Sequence, residues 1–438
     1  MIRVSLTTLG CRVNSYESDA MAGLLRAAGF TVVPDSEPAD ICVVNTCTVT
    51  NIADRKSRQM ISRCRKLNPD TKIIVTGCWS QREPEAALKL DGVSAVLGTT
   101  EKNRIADVCA ELTGSNGSLM MVRDVMHVHT FEELSATAEN RTRAYLKIQD
   151  GCDRFCSYCA IPFARGAVRS RSLDSVRKEL EMLDRAGFRE VVFTGIHLTD
   201  YGKDIGGVCL ADAVECVNGL DNIKRLRLGS LEPHGLNDEM IARITSCEKV
   251  CPQFHLSLQS GSTSVLKRMR RGYTAEEYAV IVEKLRSAYG DMAPYVAITT
   301  DIIAGFVGET EAELKETIDF MRRIGFARVH VFPYSRRSGT LADKMPGHLT
   351  NNEKSLRAQE LIEVGKELET SFLEKHIGRT VTVLTESVNV VGLASGFTDN
   401  YIRVFIPHAP VNELADAKIK SIMEVKKGEL SLLSDSIG

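Results

Sequence analysis

The 438-residue sequence has no uninterrupted apolar run of the length that a transmembrane helix needs. Residues 1–6 also lack the basic leader and apolar stretch of a signal peptide, and they follow the pattern of a β-strand instead. From these two absences we expect a cytoplasmic protein that has no membrane partner.

The sequence also lacks an excess of charge of either sign. Its 55 lysines and arginines nearly balance its 57 aspartates and glutamates, which gives a formal net charge of −2. This balance excludes a protein that is basic over its whole surface, but it does not exclude local basic patches that bind nucleic acid. The length predicts two or three domains, each large enough to bury a core.

Cysteine, by contrast, is abundant. The chain has 13 cysteines, and in a reducing cytoplasm metal binding is a more common use of cysteine than disulfide formation. Cys152, Cys156 and Cys159 are spaced C-x3-C-x2-C, so their thiolates can bind one soft metal centre. An iron–sulfur cluster normally takes four cysteines, so a cluster held by these three would leave one iron open to a substrate. The alternative is a zinc site completed by a distant fourth ligand.

Residues 1–135 alternate short apolar strands with helices, which predicts an open α/β domain with a parallel sheet. Cys11, Cys47 and Cys78 each follow the carboxyl end of a predicted strand, with Gly or Thr just before them. The ligand crevice of such a sheet lies at that edge, so these three thiols are expected to meet there. The alternative is that each one is a small buried core residue.

Residues 136–348 contain six predicted strands separated by helices, a pattern typical of an incomplete (βα)6 barrel. The loop that carries Cys152 follows the first of these strands. Barrels of this kind have their active sites at the carboxyl ends of the strands, so the cysteine loop is predicted to lie on that face. Small and polar residues follow the other strands and suit an amino acid and a nucleoside.

Residues 349–376 have the spacing of a long amphipathic helix that links domains, and residues 377–438 are predicted to form four short strands of a small β-barrel. The second of these strands is expected at residues 388–393, and a turn is expected at residues 396–401. The predicted fold class is therefore α/β, with an N-terminal open parallel sheet, a central partial barrel and a small C-terminal β-barrel.

The cysteine loop and the strands around it resemble the radical S-adenosylmethionine (SAM) superfamily. The resemblance implies that Cys152, Cys156 and Cys159 hold a four-iron, four-sulfur cluster whose open iron binds SAM. One stretch departs from the family pattern, since residues 306–310 read FVGET where FPGET is usual. By the same resemblance, the predicted SAM contacts are Tyr158, Gly195, Ser230, Glu232, Gln259, Ile303 and Gly305.

Over nearly the whole chain the sequence resembles the radical SAM methylthiotransferase family. The resemblance rests on LGCRVN at residues 9–14, NTC at residues 45–47, TGC at residues 76–78, the C-x3-C-x2-C loop and the terminal barrel, which resembles the RNA-binding TRAM domain. It implies that the cysteines of the first three motifs hold a second four-iron cluster. It also implies that SAM is both the radical source and the methyl donor, and that a methylthio group is transferred to the substrate.

Within the family, three segments most resemble the MtaB-type enzymes: TCTVTN at residues 46–51, DRKSRQ at residues 54–59 and HVFPYS at residues 330–335. This resemblance implies that C2 of N6-threonylcarbamoyladenosine at tRNA position 37 is modified, with the anticodon stem-loop as partner. We also expect an external electron donor, an external sulfur source and a monomer. Two alternatives stay open: the same reaction on isopentenyladenosine or on a ribosomal-protein aspartate, and a non-enzymatic RNA-binding protein stapled by zinc.

Arginines cluster after several predicted strands and helices, and charge of this kind suits contacts with RNA phosphates. The alternative for each cluster is a solvated surface. We expect Arg165, Arg336 and Arg337 to lie nearest to the carboxylate of the threonylcarbamoyl group, because they follow the cysteine loop and the sixth strand. The predicted RNA or substrate contacts are Arg165, Arg169, Arg171, Arg270, Arg271, Arg336 and Arg337.

Overall fold

The computed structural model describes residues 1–114, 117–135, 142–389, 392–426 and 428–435. The predicted domain boundary after residue 135 therefore falls at the edge of residues 136–141, which lie outside the described residues. Part of the strand predicted at residues 388–393 lies outside them as well. No described helix is both long and apolar enough to cross a membrane.

The N-terminal region forms one sheet in which six strands run parallel. The strands are β1 (Arg3–Thr8), β2 (Thr31–Val33), β3 (Ile41–Thr46), β4 (Lys72–Gly77), β5 (Val93–Leu97) and β6 (Leu119–Met121), in the order β2-β1-β3-β4-β5-β6. The helices are α1 (Arg12–Ala27), α2 (Asn51–Leu67), α3 (Cys78–Arg82), α4 (Pro84–Leu88) and α5 (Ile105–Gly114). Successive strand residues point to opposite faces, and Val43 and Val44 accordingly lie in two separate apolar clusters. This arrangement confirms the predicted open parallel sheet.

The central region forms an arc of parallel strands. They are β7 (Arg143–Lys147), β10 (Glu190–Thr194), β11 (Arg225–Leu228), β12 (Ser230–Leu231), β13 (Gln253–Leu256), β14 (Ala297–Ala304) and β15 (Arg328–Pro333), with a short antiparallel pair, β8 (Gln149–Asp150) and β9 (Arg169–Ser170), beside the cysteine loop. The two sheets are ordered β11-β10-β7 and β12-β13-β14-β15. Because only Gly229 separates β11 from β12, the arc has six strand positions, which confirms the predicted partial barrel.

Helices connect these strands on the outside of the arc. They are α6 (Ile161–Arg165), α7 (Leu173–Arg185), α8 (Leu210–Glu215), α9 (Asp238–Ser246), α10 (Thr263–Met269), α11 (Ala275–Ser287) and α12 (Glu311–Ile324). Capping boxes begin α11, between Thr274 and Glu277, and α12, between Thr310 and Glu313. In each box two backbone N–H groups that lack helical partners are satisfied by side chains, which fixes where the helix begins.

The C-terminal region consists of one long helix and a closed β-barrel. They are α13 (Asn351–Glu374), β16 (Thr380–Val388), β17 (Leu393–Thr398), β18 (Arg403–Pro407), β19 (Leu414–Lys426) and β20 (Glu429–Ser434), with the barrel order β16-β17-β18-β20-β19. The barrel thus has five strands, one more than predicted. Of the strand predicted at residues 388–393, Val388 ends β16, Leu393 begins β17, and residues 390 and 391 lie outside the described residues. The turn predicted at residues 396–401 is wrong in its first half, because Gly396 lies within β17.

The barrel docks against the central strands through two arginines of β11. Arg225 donates to the carbonyl oxygens of Phe397, at 3.0 Å, and Thr382, at 2.7 Å. Arg227 donates to that of Thr398 at 2.6 Å. These bonds fix the barrel against the side of the arc, where it closes a cavity described below.

Candidate cluster and substrate sites

The loop between β8 and α6 carries Cys152, Cys156 and Cys159, here called the radical triad. Gly151 directs the chain into this loop. Its φ is +73°, and a Cβ there would lie 1.8 Å from the carbonyl oxygen of Ala167. Glycine is the residue that tolerates both this dihedral angle and this close approach. The start of the loop is therefore packed against the backbone of Ala167, which lies between α6 and β9.

Each sulfur of the radical triad accepts a hydrogen bond. Cys152 and Cys159 accept from backbone N–H groups two residues further along the chain, at 3.4 Å in both cases. Cys156 accepts from the guanidinium of Arg271, also at 3.4 Å. Burial raises the pKa of Cys152 to about 12, so iron must displace a proton when it binds. Hydrogen bonds to the sulfur favour the thiolate that a cluster requires.

Arg271 also connects the radical triad to two predicted SAM contacts. Its guanidinium donates to the hydroxyl of Tyr158 at 3.3 Å and to the carboxylate of Glu232. Ile303 and Tyr158 pack against one apolar cluster that contains Phe306. Three of the predicted SAM contacts therefore lie close to the triad, while their contact with SAM itself stays a prediction.

At three other predicted SAM contacts, the backbone conformation or its hydrogen bonds fix the local structure. The N–H groups of the two residues after Gly195 donate to the side chain of Gln149, at 2.9 and 2.7 Å, and a Cβ on Gly195 would lie 2.8 Å from that same oxygen. Gln259 has a φ of +75° and pairs with β14. Gly305 has a φ of +69°, and a Cβ there would lie 2.7 Å from the Cγ of Lys354. Their role in SAM binding also stays a prediction.

Cys11, Cys47 and Cys78, here called the auxiliary triad, lie at the carboxyl ends of β1, β3 and β4. These strands are neighbours in the sheet, so the three loops meet. Gly10 has a φ of +104°, and a Cβ there would lie 2.8 Å from the Cβ of Cys47. Burial, together with the nearby Cys78, raises the pKa of Cys47 to about 12. The three thiols that are distant in sequence therefore share one site.

Buried charge surrounds the auxiliary triad on the side of Cys78. Arg165, the last residue of α6, is fully buried, and its Nε donates to the Sγ of Cys78 at 3.2 Å. Its Nη2 donates to the Oδ1 of Asn14 at 2.6 Å. Burial alone would raise the pKa of Glu17, but Arg165 and two lysines hold it well below its usual range. Arg165 therefore connects α6, the helix that follows the radical triad, to the auxiliary triad.

This buried network carries more positive than negative charge. Among the described residues, four buried cations contact the carboxylates of Glu17 and Asp150. Burial raises the pKa of the neighbouring Glu132, which favours its neutral form. The four cations are Lys102, Lys147, Arg165 and Arg169. Because buried charges require partners, the surplus favours anionic thiolates at the auxiliary triad.

Both donor sets fit iron–sulfur clusters. Each triad offers three thiols, the ligands that these clusters take. Within the part of the chain that the structure describes, no group of three or more His, Cys, Asp or Glu side chains is arranged to hold a single metal ion. In a four-iron cluster each cysteine binds a different iron, so the thiolates stand further apart than around one zinc ion. The donor atoms of both triads therefore suit iron–sulfur clusters.

A cavity of about 540 Å³ lies where the three regions of the chain meet. Cys11, the exposed member of the auxiliary triad, lines it together with Gly195 and Ser230. Tyr401 and Arg403 of the C-terminal barrel also line it. This volume is typical of a small-molecule site. One cavity therefore reaches both the auxiliary triad and two of the predicted SAM contacts.

Five of the seven arginines predicted to contact RNA are buried. Carboxylates of the protein hold several of them, as Glu179 holds Arg171 at 2.5 Å. Such a guanidinium has no free surface for a phosphate, which corrects the prediction of RNA contact. The five are Arg165, Arg169, Arg171, Arg271 and Arg337. The other two, Arg270 and Arg336, are exposed, and Arg336 pairs with Asp343.

Several polar residues that were not predicted as site residues line the cavity, among them Arg12, His255, Thr299 and His330. The sequence did contain a signal for part of this set. Thr299 and Asp301 alternate with more deeply buried residues in β14, whereas a parallel strand buried on both faces is normally apolar throughout. Polar residues at every second position indicate an inner face that is exposed to a ligand.

Two family models match the chain. That of the uncharacterized protein family UPF0004 covers residues 3–98, and that of the Radical SAM superfamily covers residues 146–321. The threonylcarbamoyladenosine tRNA methylthiotransferase MtaB of Bacillus subtilis is 38% identical over 410 residues, which span 92% of this chain and 90% of that protein. The chain belongs to the radical SAM methylthiotransferase family. Membership confirms the predicted family. The match to the Radical SAM superfamily implies that the chain uses SAM and one four-iron cluster.

Relatives in this family carry two different names. The threonylcarbamoyladenosine tRNA methylthiotransferase MtaB of Thermotoga maritima is 36% identical over 438 residues, which span 100% of this chain and 98% of that protein. The tRNA-2-methylthio-N(6)-dimethylallyladenosine synthase of Acetivibrio thermocellus is 33% identical over 392 residues, which span 88% of this chain and 80% of that protein. These identities are close to one another, so they establish the methylthiotransferase family rather than the nucleoside that is modified.

Among solved structures, the radical SAM methyltransferase TsrM from Kitasatospora setae, with a tryptophan substrate and a SAM analogue bound, has a TM-score of 0.55 to this methylthiotransferase. It is 16% identical, and the match covers 76% of this chain and 73% of that one. At this identity the likeness shows the fold alone.

Proposed function

We propose that this chain adds a methylthio group to C2 of N6-threonylcarbamoyladenosine at position 37 of tRNA. One observation carries the proposal: the auxiliary triad, through Cys11, and the predicted SAM contacts Gly195 and Ser230 open into the same cavity. The substrate is supported by the relatives from B. subtilis and T. maritima, at 38% and 36% identity, whose names specify threonylcarbamoyladenosine.

In this proposal the radical triad holds the cluster that binds SAM, and the auxiliary triad holds a second four-iron cluster. When bound, the clusters and SAM supply the radical chemistry and the methylthio group. The side chains and backbone proposed to bind SAM are those of Tyr158, Gly195, Ser230, Glu232, Gln259, Ile303 and Gly305.

Each of the two sites contains a buried arginine that donates a hydrogen bond to one of its cysteines. Arg271 donates to Cys156 of the radical triad at 3.4 Å, and Arg165 donates to Cys78 of the auxiliary triad at 3.2 Å. A fixed cation beside a sulfur favours its thiolate form and orients the loop that carries it.

The partners follow from the same proposal. The anticodon stem-loop of tRNA is the substrate, and the exposed Arg270 and Arg336 together with the TRAM-like barrel are its proposed contacts. An external electron donor and an external sulfur source complete the reaction. We propose that a monomer carries it out in the cytoplasm.

Mass spectrometry of tRNA nucleosides tests the proposal. In a strain without the gene, tRNA should keep N6-threonylcarbamoyladenosine and lose its 2-methylthio form, which the intact gene should restore. A gene with Cys11, Cys47 and Cys78 replaced by Ala should not restore it. Loss of methylthiolated isopentenyladenosine instead would show that the proposed nucleoside is wrong. An unchanged set of tRNA nucleosides would point to a protein substrate.

A further inference from the structure

The cavity that Cys11 lines also has a polar wall built from neighbouring strands. Ser230 of β12 pairs with His255 of β13, which pairs with Thr299 of β14, so the three side chains form one row. In the next row, Asp301 of β14 pairs with His330 of β15. Paired residues of parallel strands lie on the same face of the sheet. These two rows therefore present hydrogen-bonding groups to one side of the cavity.

The two histidines are close enough to bind one small group together. The centres of the His255 and His330 rings are 6.2 Å apart. The Nε2 of His255 is 3.6 Å from a carboxylate oxygen of Asp301, and its Nδ1 is 3.1 Å from the Oγ1 of Thr299. Both donors and acceptors are thus available within one short stretch of wall.

Arg12 supplies a cation that the protein itself does not neutralise. It follows Cys11 directly and is half-buried, and its Nη2 donates to the hydroxyl of Tyr401 at 3.4 Å. No carboxylate among the described residues forms an ion pair with it. The other two arginines in the cavity wall do have such partners, since Arg328 is 3.8 Å from Glu369 and Arg403 is 3.2 Å from Glu429.

A partly buried guanidinium without an acidic partner is suited to an anion. The threonylcarbamoyl group carries a carboxylate, a hydroxyl and a carbamoyl N–H, whereas an isopentenyl group carries no polar atom. The polar wall and Arg12 therefore fit the first group, and their polar atoms would be left unsatisfied beside the second.

We propose that Arg12 binds the carboxylate of the threonylcarbamoyl group and that His255 and His330 contact its hydroxyl and carbamoyl atoms. This inference rests on the proposed function and assigns the residues that select its substrate. It also replaces the prediction that Arg165, Arg336 and Arg337 bind this carboxylate.

Binding of modified RNA tests the inference without relying on turnover. The anaerobically reconstituted full-length enzyme is titrated with three versions of one anticodon stem-loop, and the dissociation constants are compared. The stem-loops carry threonylcarbamoyladenosine, its neutral carboxamide, or isopentenyladenosine. The wild-type enzyme should bind the first about 10- to 100-fold more tightly than the carboxamide, the range expected for hydrogen bonds to a charged group.

Arg12→Gln should remove most of this preference and leave the affinity for the carboxamide stem-loop nearly unchanged. Arg55→Gln is the matched control, because Arg55 is exposed on α2, away from the cavity wall. It should keep the preference. If Arg12→Gln weakens all three stem-loops alike, Arg12 binds phosphate and the inference is wrong.

The comparison of two stem-loops on the unaltered enzyme guards against misfolding of the variant. Equal wild-type affinity for the threonylcarbamoyl and carboxamide stem-loops would by itself overturn the assignment of a carboxylate site. Tighter wild-type binding and modification of the isopentenyl stem-loop would instead overturn the proposed function. A threonylcarbamoyl preference that Arg12→Gln leaves intact would overturn only the inference.

Discussion

Gly10 has no room for a side chain. Its φ is +104°, and a Cβ would lie 2.8 Å from the Cβ and 3.0 Å from the Sγ of Cys47. Gly29 has a similar φ of +88°, but no described atom lies within 4 Å of the same position. Comparing alanine substitutions at Gly10 and Gly29 therefore separates the effect of backbone strain from the effect of packing against the auxiliary triad.

Gly10→Ala should push Cys11 away from Cys47 and abolish the auxiliary cluster, so that iron falls from about eight to about four per chain. Gly29→Ala should cost about 1–2 kcal/mol of stability through its backbone and keep all of the iron. Iron and sulfide analysis after anaerobic reconstitution distinguishes the two. Equal iron in both variants would contradict the close approach inferred at Gly10.

Arg165→Gln should alter the auxiliary cluster, because Arg165 donates to Cys78. Arg169→Gln is the control, since Arg169 is buried in the same network and contacts Asp150 instead of a cysteine. Both changes should lower the free energy of unfolding by about 3–5 kcal/mol, the usual cost of breaking a buried ion pair. The electron paramagnetic resonance signal of the reduced auxiliary cluster should change in Arg165→Gln alone. Wild-type spectra in both variants would refute a role for Arg165 at Cys78.

The grouping of the six cysteines into two triads could be predicted from the sequence, but the partners of the arginines around them could not. The spacing of a cysteine motif can be recognised in the local sequence, wherever the motif lies in the fold. The role of Arg165 depends on Glu17, which is 148 residues away in the sequence. A local cluster of positive charge looks the same whether its partners are RNA phosphates or distant carboxylates of the fold.

At the scale of elements, strand ends were the most informative feature. The auxiliary triad could be predicted because each of its cysteines follows a short apolar strand. Its convergence also depends on the sheet order, in which β1, β3 and β4 are neighbours. That order results from long-range strand pairing, which the local sequence does not specify.

The small barrel was less predictable. Gly396 reads as a turn residue, yet it lies within β17, where a Cβ would be 2.1 Å from the carbonyl oxygen of Leu384 in β16. The glycine permits this close strand packing rather than a turn. The fifth strand, β20, was missed because its identity depends on pairing with β18 and β19.

The two triads should divide the chemistry between them. Replacing Cys11, Cys47 and Cys78 by Ala should leave about four irons per chain, and the variant should still cleave SAM to 5′-deoxyadenosine with a strong reductant. It should form no methylthiolated product.

Replacing Cys152, Cys156 and Cys159 by Ala is the reciprocal variant, and it should lose SAM cleavage as well. Chromatography of 5′-deoxyadenosine and mass spectrometry of the RNA measure the two activities. Undiminished cleavage by the reciprocal variant would rule out the radical triad as the SAM-binding site, and wild-type iron in the first variant would rule out the auxiliary cluster.

At the scale of the whole molecule, the cavity exists because three regions of the chain meet around it. Arg227 is fully buried at one of these junctions. It pairs with Glu190 at 2.9 Å, and its guanidinium lies 4.7 Å from the ring centre of Tyr401 in the cavity wall. The position of the barrel, and with it one wall of the cavity, therefore depends on this arginine.

Arg227→Gln should loosen the barrel and lower kcat/KM for the stem-loop by about tenfold, which corresponds to about 1.4 kcal/mol. SAM cleavage in the absence of RNA should persist, because the radical triad lies elsewhere. Arg243→Gln, which removes ion pairs between α9 and α8 outside the cavity wall, is the control and should leave both activities unchanged. Equal losses of RNA modification and uncoupled SAM cleavage in Arg227→Gln would contradict this assignment.

Selection of the nucleoside is tested most directly by competition in a single reaction. Equal amounts of two anticodon stem-loops, one with N6-threonylcarbamoyladenosine and one with isopentenyladenosine, are incubated with the reconstituted enzyme, SAM, a reductant and a sulfur source. Mass spectrometry then measures the methylthiolated form of each. We expect the threonylcarbamoyl stem-loop to be modified strongly in preference to the other. Preferential methylthiolation of the isopentenyl stem-loop would contradict the proposed function.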